Sequence, residues 1–439
     1  MPHFPKPAEG SWTEHYPGLG TGPVSYRDSY DPDHWQREID TIFMKEWLCV
    51  GRVERLGRTG SYFTREFPWA KRSIVVVRDR GGTVRAFYNV CRHRGNKLVW
   101  DDYPNEETAG LCRQFACKYH GWRYDLDGSL TFIQQESEFF DIDKDTLGLV
   151  PVACDVWEGF IFVNLDSEPR QTLTEALAPL AGGLAGYPFG EMTQTYEVRS
   201  EINSNWKLFI DAFVEFYHAP VLHQRQAAAD EAQKLAGFGF EGLHYELFSP
   251  HSMVSSWGGM SPPKDPGMVK PIENLLRSGL FGPWDKPAAI NNNQDLPPLV
   301  NPSGHRAWGI DSFLVWPNFM ILIWETGWYL TYTYWPLGPS RHLFESTLNF
   351  VPPENASGRA AQEFAFSTFK EYAFQDANTL EATQTMIEGE VVDTFMLNDQ
   401  EILCRHHHAA VQEQVRAGER PAGYPWMPAS DREPRKGQR

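Results

Sequence analysis

The chain has 439 residues, 41% of them hydrophobic and 22% charged, with a formal net charge of −17. That composition is long and apolar enough for two or three domains, or for one large domain with an insertion. The acidic balance excludes a nucleic-acid binder and disfavours an anionic membrane surface, because phosphate contacts need clustered Lys and Arg.

The first residues combine neither a basic stretch nor an apolar run, so no signal peptide is expected. A Pro- and Gly-rich lead-in to Tyr30 precedes a helical pattern from Asp31 to Trp47, with Trp35, Ile39, Ile42, Phe43 and Trp47 on one face and Asp31 or Asp33 as its cap. From Ser61 the period changes to two. The runs SYFTREF, SIVVVRD and TVRAFYN, separated by turn residues, predict a small antiparallel domain over 47–164. A helix is expected over Thr172–Ala185, a strand near Thr193–Ile202 and a helix over Trp206–Leu222, followed by an irregular Pro-, Gly- and Asn-rich interval over Ser249–Asn301. Strands are expected at Ser312–Trp316, Phe319–Trp324, Tyr329–Tyr334 and Leu343–Phe350, then helices at Gly358–Glu388 and Asn398–Ala417. The most apolar stretch, Phe313–Trp335, is broken by Pro317, Asn318 and Glu325, so it reads as strands and not as a membrane span. The expectation is a soluble, cytoplasmic α+β protein, since strands and helices follow one another outside any βαβ rhythm.

Six cysteines are too few for a disulfide scaffold at this length. Two of them stand beside histidines: C-R-H at Cys91 and His93, and C-K-Y-H at Cys117 and His120. Two thiolates and two imidazoles suit a [2Fe-2S] centre with Cys on one iron and His on the other, or a structural zinc site. Cys112 has no His at the right offset and reads as a structural thiol; Cys49, Cys154 and Cys404 read as core residues. In full, N-V-C-R-H-R-G and C-K-Y-H-G-W-R-Y-D-L-D-G resemble the Rieske signature, with Trp122 placed to shield the cluster. Over nearly its whole length the chain is similar to the catalytic (alpha) subunit of Rieske-type non-haem iron aromatic-ring-hydroxylating oxygenases.

Downstream, N-W-K-L-F-I-D-A-F-V-E-F-Y-H-A-P-V-L-H puts His218 and His223 five residues apart, able to reach one metal if the helix loosens at Pro220. Two His and one carboxylate make the facial triad of non-haem Fe(II) enzymes. The resemblance implies that the carboxylate is the Asp of a D-x-x-x-x-E-x-x-Q segment, here Asp376 with Glu381 and Gln384; Asp393 and Asp399 are competitors. It also implies that Glu215 bridges an iron-ligand His of one subunit to a Rieske His, here His120, of a neighbour. Asp211 departs from the Asn that relatives often carry.

The expected architecture is a small antiparallel-β Rieske [2Fe-2S] domain over 47–164 and a larger catalytic mononuclear-iron domain over 165–425, with an antiparallel sheet flanked by helices. Residues 1–46 would pack on the latter, and 426–439 would be a disordered tail. GFGFEG, at Gly237, Gly239 and Gly242, satisfies G-x-G-x-x-G but follows a helical pattern, so a dinucleotide site is rejected. Electrons must then come from a separate reductase, with or without a ferredoxin. The run His406–His408 is expected to be exposed. By resemblance the enzyme hydroxylates a small apolar aromatic or alicyclic compound with O₂, in a pocket drawn from Phe209, Phe213, Val214 and Phe319–Trp328. O- or N-dealkylation is the alternative; a non-catalytic Rieske electron carrier would leave His218 and His223 without a role. The resemblance further implies a homotrimer, with or without a β subunit.

Overall fold

The computed structural model describes residues 11–223, 242–257, 296–305 and 308–418. Two compact units emerge: residues up to Ile42 together with those from Pro179 onward, and Phe43–Ala178.

The larger unit opens with α1 (Trp12–His15) and α2 (Pro32–Glu38). Asp31 caps α2 by accepting from the amides of Asp33 and His34, and Pro32 stands at the first helical position, where its missing N–H costs nothing. The helix expected to reach Trp47 instead widens into a π turn over Ile39–Phe43 and ends. The lead-in is pinned down. Val24 and Phe395 exchange backbone hydrogen bonds of 2.9 and 2.8 Å, and Arg405 Nη1 donates to the Gly22 carbonyl at 2.8 Å.

The smaller unit contains β1 (Leu48–Arg52), β2 (Ser61–Phe67), β3 (Arg72–Arg78), β4 (Val84–Tyr88), β5 (Ala109–Leu111), β6 (Phe115–Ala116), β7 (Arg123–Tyr124), β8 (Leu130–Phe132), β9 (Pro151–Trp157), β10 (Phe160–Asn164) and α3 (Leu173–Ala176). Seven strands form an antiparallel sheet in the order β1-β10-β9-β4-β3-β2-β5, and β6, β7 and β8 form a separate ribbon. Ile74 to Val77 are all fully buried, so β3 is covered on both faces. Val75 and Val77 pack with Phe87, Cys91, Cys117, Trp122 and Tyr124 in one apolar cluster. The core of this unit is therefore also the seat of both Cys/His loops.

The larger unit resumes with α4 (Leu180–Gly183), β11 (Gln194–Ile202), α5 (Trp206–Phe213), α6 (Ala219–Leu222), β12 (Gly242–Phe248), β13 (His251–Trp257), β14 (Trp308–Val315), β15 (Phe319–Trp324), β16 (Tyr329–Gly338), β17 (Arg341–Phe350), α7 (Ala356–Glu388) and α8 (Ile402–Gly418). Its sheet is antiparallel throughout, in the order β11-β17-β16-β15-β14-β13-β12. The α+β expectation is met, and three further expected helices differ in detail. Thr172–Ala185 is two short helices, because Pro179 cannot donate and disfavours helix at Ala178. Trp206–Leu222 is broken between Phe213 and Ala219. Asn398–Ala417 begins as a 3₁₀ turn before α8. Gly237, Gly239, most of Ser249–Asn301 and the C-terminal tail lie outside the described residues; Gly242 opens β12. Among the described residues no helix is long and apolar enough to cross a membrane.

Gly60 sits at φ +83°, and a Cβ there would lie 2.1 Å from the Cys112 carbonyl oxygen. Gly60→Ala is expected to destabilise the smaller unit by at least about 2 kcal/mol, through strained backbone and forced separation of β2 from its neighbour. Urea unfolding of the pure protein checks this; an unchanged midpoint would contradict it.

Candidate functional site

In the smaller unit each Cys/His pair sits on a loop that closes on itself. The Gly95 amide donates to the Cys91 carbonyl at 3.1 Å, and the Gly121 amide to the Cys117 carbonyl at 3.0 Å. Both glycines have positive φ, 72° and 74°, which explains a glycine four residues after each cysteine. The loops bring the His93 and His120 rings to 4.6 Å between centroids, and Trp122 stacks on His93 at 5.0 Å. Nδ1 of both histidines is buried with no hydrogen-bond partner. Two buried thiols and two unpartnered ring nitrogens are the donor set that a two-iron, two-sulfur cluster of mixed ligation requires. Tyr124, passed over in the sequence, stands at this site. Its hydroxyl accepts from the Arg92 amide at 2.9 Å and lies 3.3 Å from Cys91 Sγ, so its own proton is free to point at the sulfur. Burial raises the Cys91 thiol pKa against the opposing hydrogen bond from Tyr124. Cys112 packs at the edge of the same cluster, and burial alone pushes its thiol up to about 11.

The second set of residues lies in the larger unit, where the break in the α5–α6 helix matters. Val214–His218 leave helical geometry, and the two imidazoles turn toward α7. His218 Nε2 and His223 Nε2 stand 3.7 and 3.5 Å from Asp376 Oδ1. Asp376 is only 1% exposed, yet neither carboxylate oxygen has a hydrogen-bond donor. A carboxylate buried without donors is costly unless a cation completes it. The spacing leaves room for one ion among the three, and the donor set is that of a non-haem iron site. Both outer ring nitrogens are held. His218 Nδ1 is 2.5 Å from Glu215 Oε1, and His223 Nδ1 is 2.9 Å from Gln375 Oε1. These partners keep the protons on Nδ1 and leave Nε2 free to face Asp376. Gln375 was not singled out from sequence; its signal is adjacency to Asp376.

The electrostatics follow from this packing. Burial pushes Asp376 up to about 7, with His218 lowering it and Glu215 raising it. Burial works against a charged His218, but the Glu215 carboxylate outweighs it and raises that ring to about 9. Burial lowers His223 to about 4. Glu215 Oε2 also accepts from the amides of Tyr217 and His218, so its carboxylate is folded onto its own loop. Glu381 and Gln384 are anchors: Glu381 Oε1 accepts from the Asn203 amide and Gln384 Oε1 from the Asn205 amide, each at 2.8 Å.

The remaining expectations divide. Asp399 is engaged elsewhere, accepting from Trp12 N, Thr13 N and Thr13 Oγ1, and Asp393 is exposed. Phe209, Val214 and β15 are packed as core, with Phe209 set among Phe213, Tyr334, His342 and Phe344. A cavity of about 280 Å³ adjoins His218, lined mostly by apolar side chains such as Leu208, Leu380 and Phe395, with Asp211, Glu215, Asp376 and Glu401 among them. The expected exposure of the His406–His408 run is wrong: His406 and His407 are 5% and 0% exposed. α8 turns this polar run inward, where Trp206 and Trp316 face His407 and Asp211 faces His408. Asp211, His407 and His408 form a second set with metal-ligand chemistry. His408 Nε2 already meets Asp211 Oδ2 at 2.8 Å, a direct hydrogen bond that closes the gap an ion would need.

A family model described as the Rieske [2Fe-2S] domain matches residues 46–149, and one described as the ring hydroxylating alpha subunit (catalytic domain) matches residues 189–417. The first removes the zinc alternative. The carnitine monooxygenase oxygenase subunit of Escherichia coli (strain K12) is 31% identical over 44% of this chain and 50% of its own length. The glycine betaine monooxygenase oxygenase subunit of Chromohalobacter salexigens is 37% identical over 44% of this chain and 41% of its own length. The matched region thus spans half or less of these relatives. The solved structure of naphthalene 1,2-dioxygenase from Rhodococcus sp. superposes with a TM-score of 0.71 at 20% identity, covering 94% of this chain and 98% of the other.

Two substitutions test the site. Tyr124→Phe removes a donor to the cluster sulfur and is expected to lower the cluster's reduction potential by about 50 mV, the equivalent of one hydrogen bond. A redox titration followed by visible absorption reads it, and an unchanged potential would discount the bond. Asp376→Asn is expected to drop the iron content from about three to about two per two sulfides, with the cluster's absorption intact. Retention of the third iron would move the carboxylate ligand elsewhere.

Proposed function

The chain belongs to the ring hydroxylating alpha subunit family, with a Rieske domain ahead of the catalytic domain, and from that premise we propose that it is the terminal oxygenase of a multicomponent system. It takes electrons from a separate reductase, directly or through a ferredoxin, and inserts one oxygen atom into a C–H bond beside an ammonium nitrogen. The observation that carries the oxygenase reading is the donorless Asp376 carboxylate facing two imidazoles whose outer nitrogens are already fixed. The substrate class rests on the relatives named for carnitine and glycine betaine, at 31% and 37% identity. The apolar aromatic substrate expected from sequence has the support of a shared fold with naphthalene 1,2-dioxygenase, which does not reach substrate choice.

When bound, the cluster supplies single electrons and the iron supplies the place where O₂ is reduced. The protein's own part is geometric. Glu215 fixes the His218 tautomer and Gln375 that of His223, so both Nε2 lone pairs point inward without rearrangement. In a trimer of this chain, Glu215 would take His120 of a neighbouring copy on its other side and so carry the electron between subunits. Tyr217 and Val221, flanking His218, are 55% and 70% exposed, the apolar surface a second copy would cover. The balance is one O₂, two electrons and two protons per C–H bond, yielding a carbinol and water. A carbinol on the carbon next to nitrogen breaks its C–N bond, releasing an amine and an aldehyde.

The test is O₂ uptake by the iron-replete protein with a surrogate reductase, comparing small quaternary ammonium compounds with naphthalene. Uptake matched by equimolar aldehyde and amine is the expected result. A diol from naphthalene with no ammonium turnover would overturn the substrate class. No substrate-dependent uptake at full iron and sulfide content would overturn the oxygenase reading.

A further inference from the structure

α5 is held in place by charge. Lys207 is fully buried and donates to Glu38 Oε1 of α2 at 2.5 Å and to the Asp28 carbonyl at 3.1 Å. One turn later on the same helix, Asp211 Oδ2 accepts from His408 Nε2 of α8 at 2.8 Å, and Asp211 Oδ1 lies 3.6 Å from His407 Nδ1. The other nitrogen of His408 faces the Asp28 carboxylate at 3.9 Å. Glu38, Lys207, Asp28, His408 and Asp211 thus form a buried run of alternating charge that joins α2, the turn at Asp28, α5 and α8. Its last member stands one turn before Glu215 and shares the cavity wall with Glu215 and Asp376.

We propose that Asp211 and His408 are positioning residues: their buried ion pair clamps α5 against α8 and so sets where Glu215 and His218 stand relative to Asp376. This rests on the iron-site reading above. The clamp has a mechanical reason. α5 ends at Phe213, with the Val214 amide closing its last turn onto the Ile210 carbonyl at 3.1 Å, and Glu215–Tyr217 lie between α5 and α6, so the last turn of α5 is the nearest helical support for Glu215. The Cys404 thiol donates to the Asp211 carbonyl at 3.6 Å, adding a second tie between the same two helices. Other ionisable groups facing the pair are Tyr26, which packs edge-on to His408, and Glu401, which lines the cavity with Asp211.

The titration of the pair agrees with the geometry. Burial disfavours a charged His408, but Asp211 and then Asp28 raise it to about 10. Burial would raise Asp211, but His408 and His407 hold it below its usual value. A His whose pKa is raised stabilises the fold fully below its ordinary 6.5, and that contribution is lost as pH climbs through about 10.

The experiment uses the full chain with its cluster intact, stripped of mononuclear iron and titrated with Fe(II) in a calorimeter. Asp211→Asn and His408→Gln are each expected to weaken Fe(II) binding about tenfold, as loss of ligand-orienting groups does, while the cluster's absorption and EPR are unchanged. The double variant should be no weaker than either single one, because both remove the same tie. Asp28→Asn, which removes only the more distant partner of His408, should cause a smaller loss and serves if the others fold poorly. Urea unfolding should show wild-type stability falling steadily between about pH 6.5 and about pH 10, and a shallower fall in Asp211→Asn, whose His408 has lost its main partner. Unchanged Fe(II) affinity in the single variants, or additive losses in the double, would overturn the clamp. Failure of the wild-type chain to bind Fe(II) would instead overturn the iron-site reading.

Discussion

Everything at the candidate iron centre depends on how α5 is set against α7. Asn203 and Asn205 present their amides to Glu381 and Gln384 just as the chain leaves β11 for α5. Gln384 extends the tie, donating to the Ser29 carbonyl at 3.1 Å and to Ser340 Oγ at 3.1 Å. Asp376 stands two turns earlier on the same buried stripe of α7, among Phe369, Ala373 and Ala377. The amides that begin α5 thus fix its angle, and the break after Phe213 then lets two imidazoles reach back to that stripe. A continuous helix would separate His218 and His223 by well over one turn and direct them away from each other.

The site carries an electrostatic tension that a cation relieves. Asp376 is buried without a donor, Glu215 is turned onto its own loop, and Asp211 and Glu401 face the same cavity. Burial pushes Asp376 up to about 7, and Glu215 raises His218 to about 9 against its burial. His218, His223 and Asp376 would hold a divalent ion, whose charge would offset the burial of the carboxylate. The smaller unit meets the same problem with neutral groups. Two unpartnered ring nitrogens and two thiols converge there, and Tyr124 and Asn96 supply the polar contacts at the sulfurs.

Much of the chain was legible from pattern. The alternation of β-branched and aromatic residues marked β2, β3, β4 and the strands from Phe319 onward, and the Cys-x-His and Cys-x-x-His loops declared themselves with glycines four residues on. Where expectation failed, burial was decided by contacts far away in sequence. His406, His407 and His408 look like a polar helix face, and only the placement of Trp206, Trp316 and Asp211 turns them inward. Phe209 and β15 look like a pocket lining, and packing on the sheet makes them core.

By itself the sequence determined the local chemistry: which residues carry thiol, imidazole and carboxylate, their spacing, and the loops that present them, because those properties reside in neighbouring residues. The choice of Asp376 among competing acids came from the resemblance of its segment to the family's D-x-x-x-x-E-x-x-Q. Tertiary structure alone decided that Asp376 is left without a donor while Asp399 is spent on Thr13, that Gln375 and Tyr124 support the two centres, and that Asp211 meets His408. Those facts are distances between groups tens to hundreds of residues apart. No local propensity encodes them; they follow from the close packing of one helix on another.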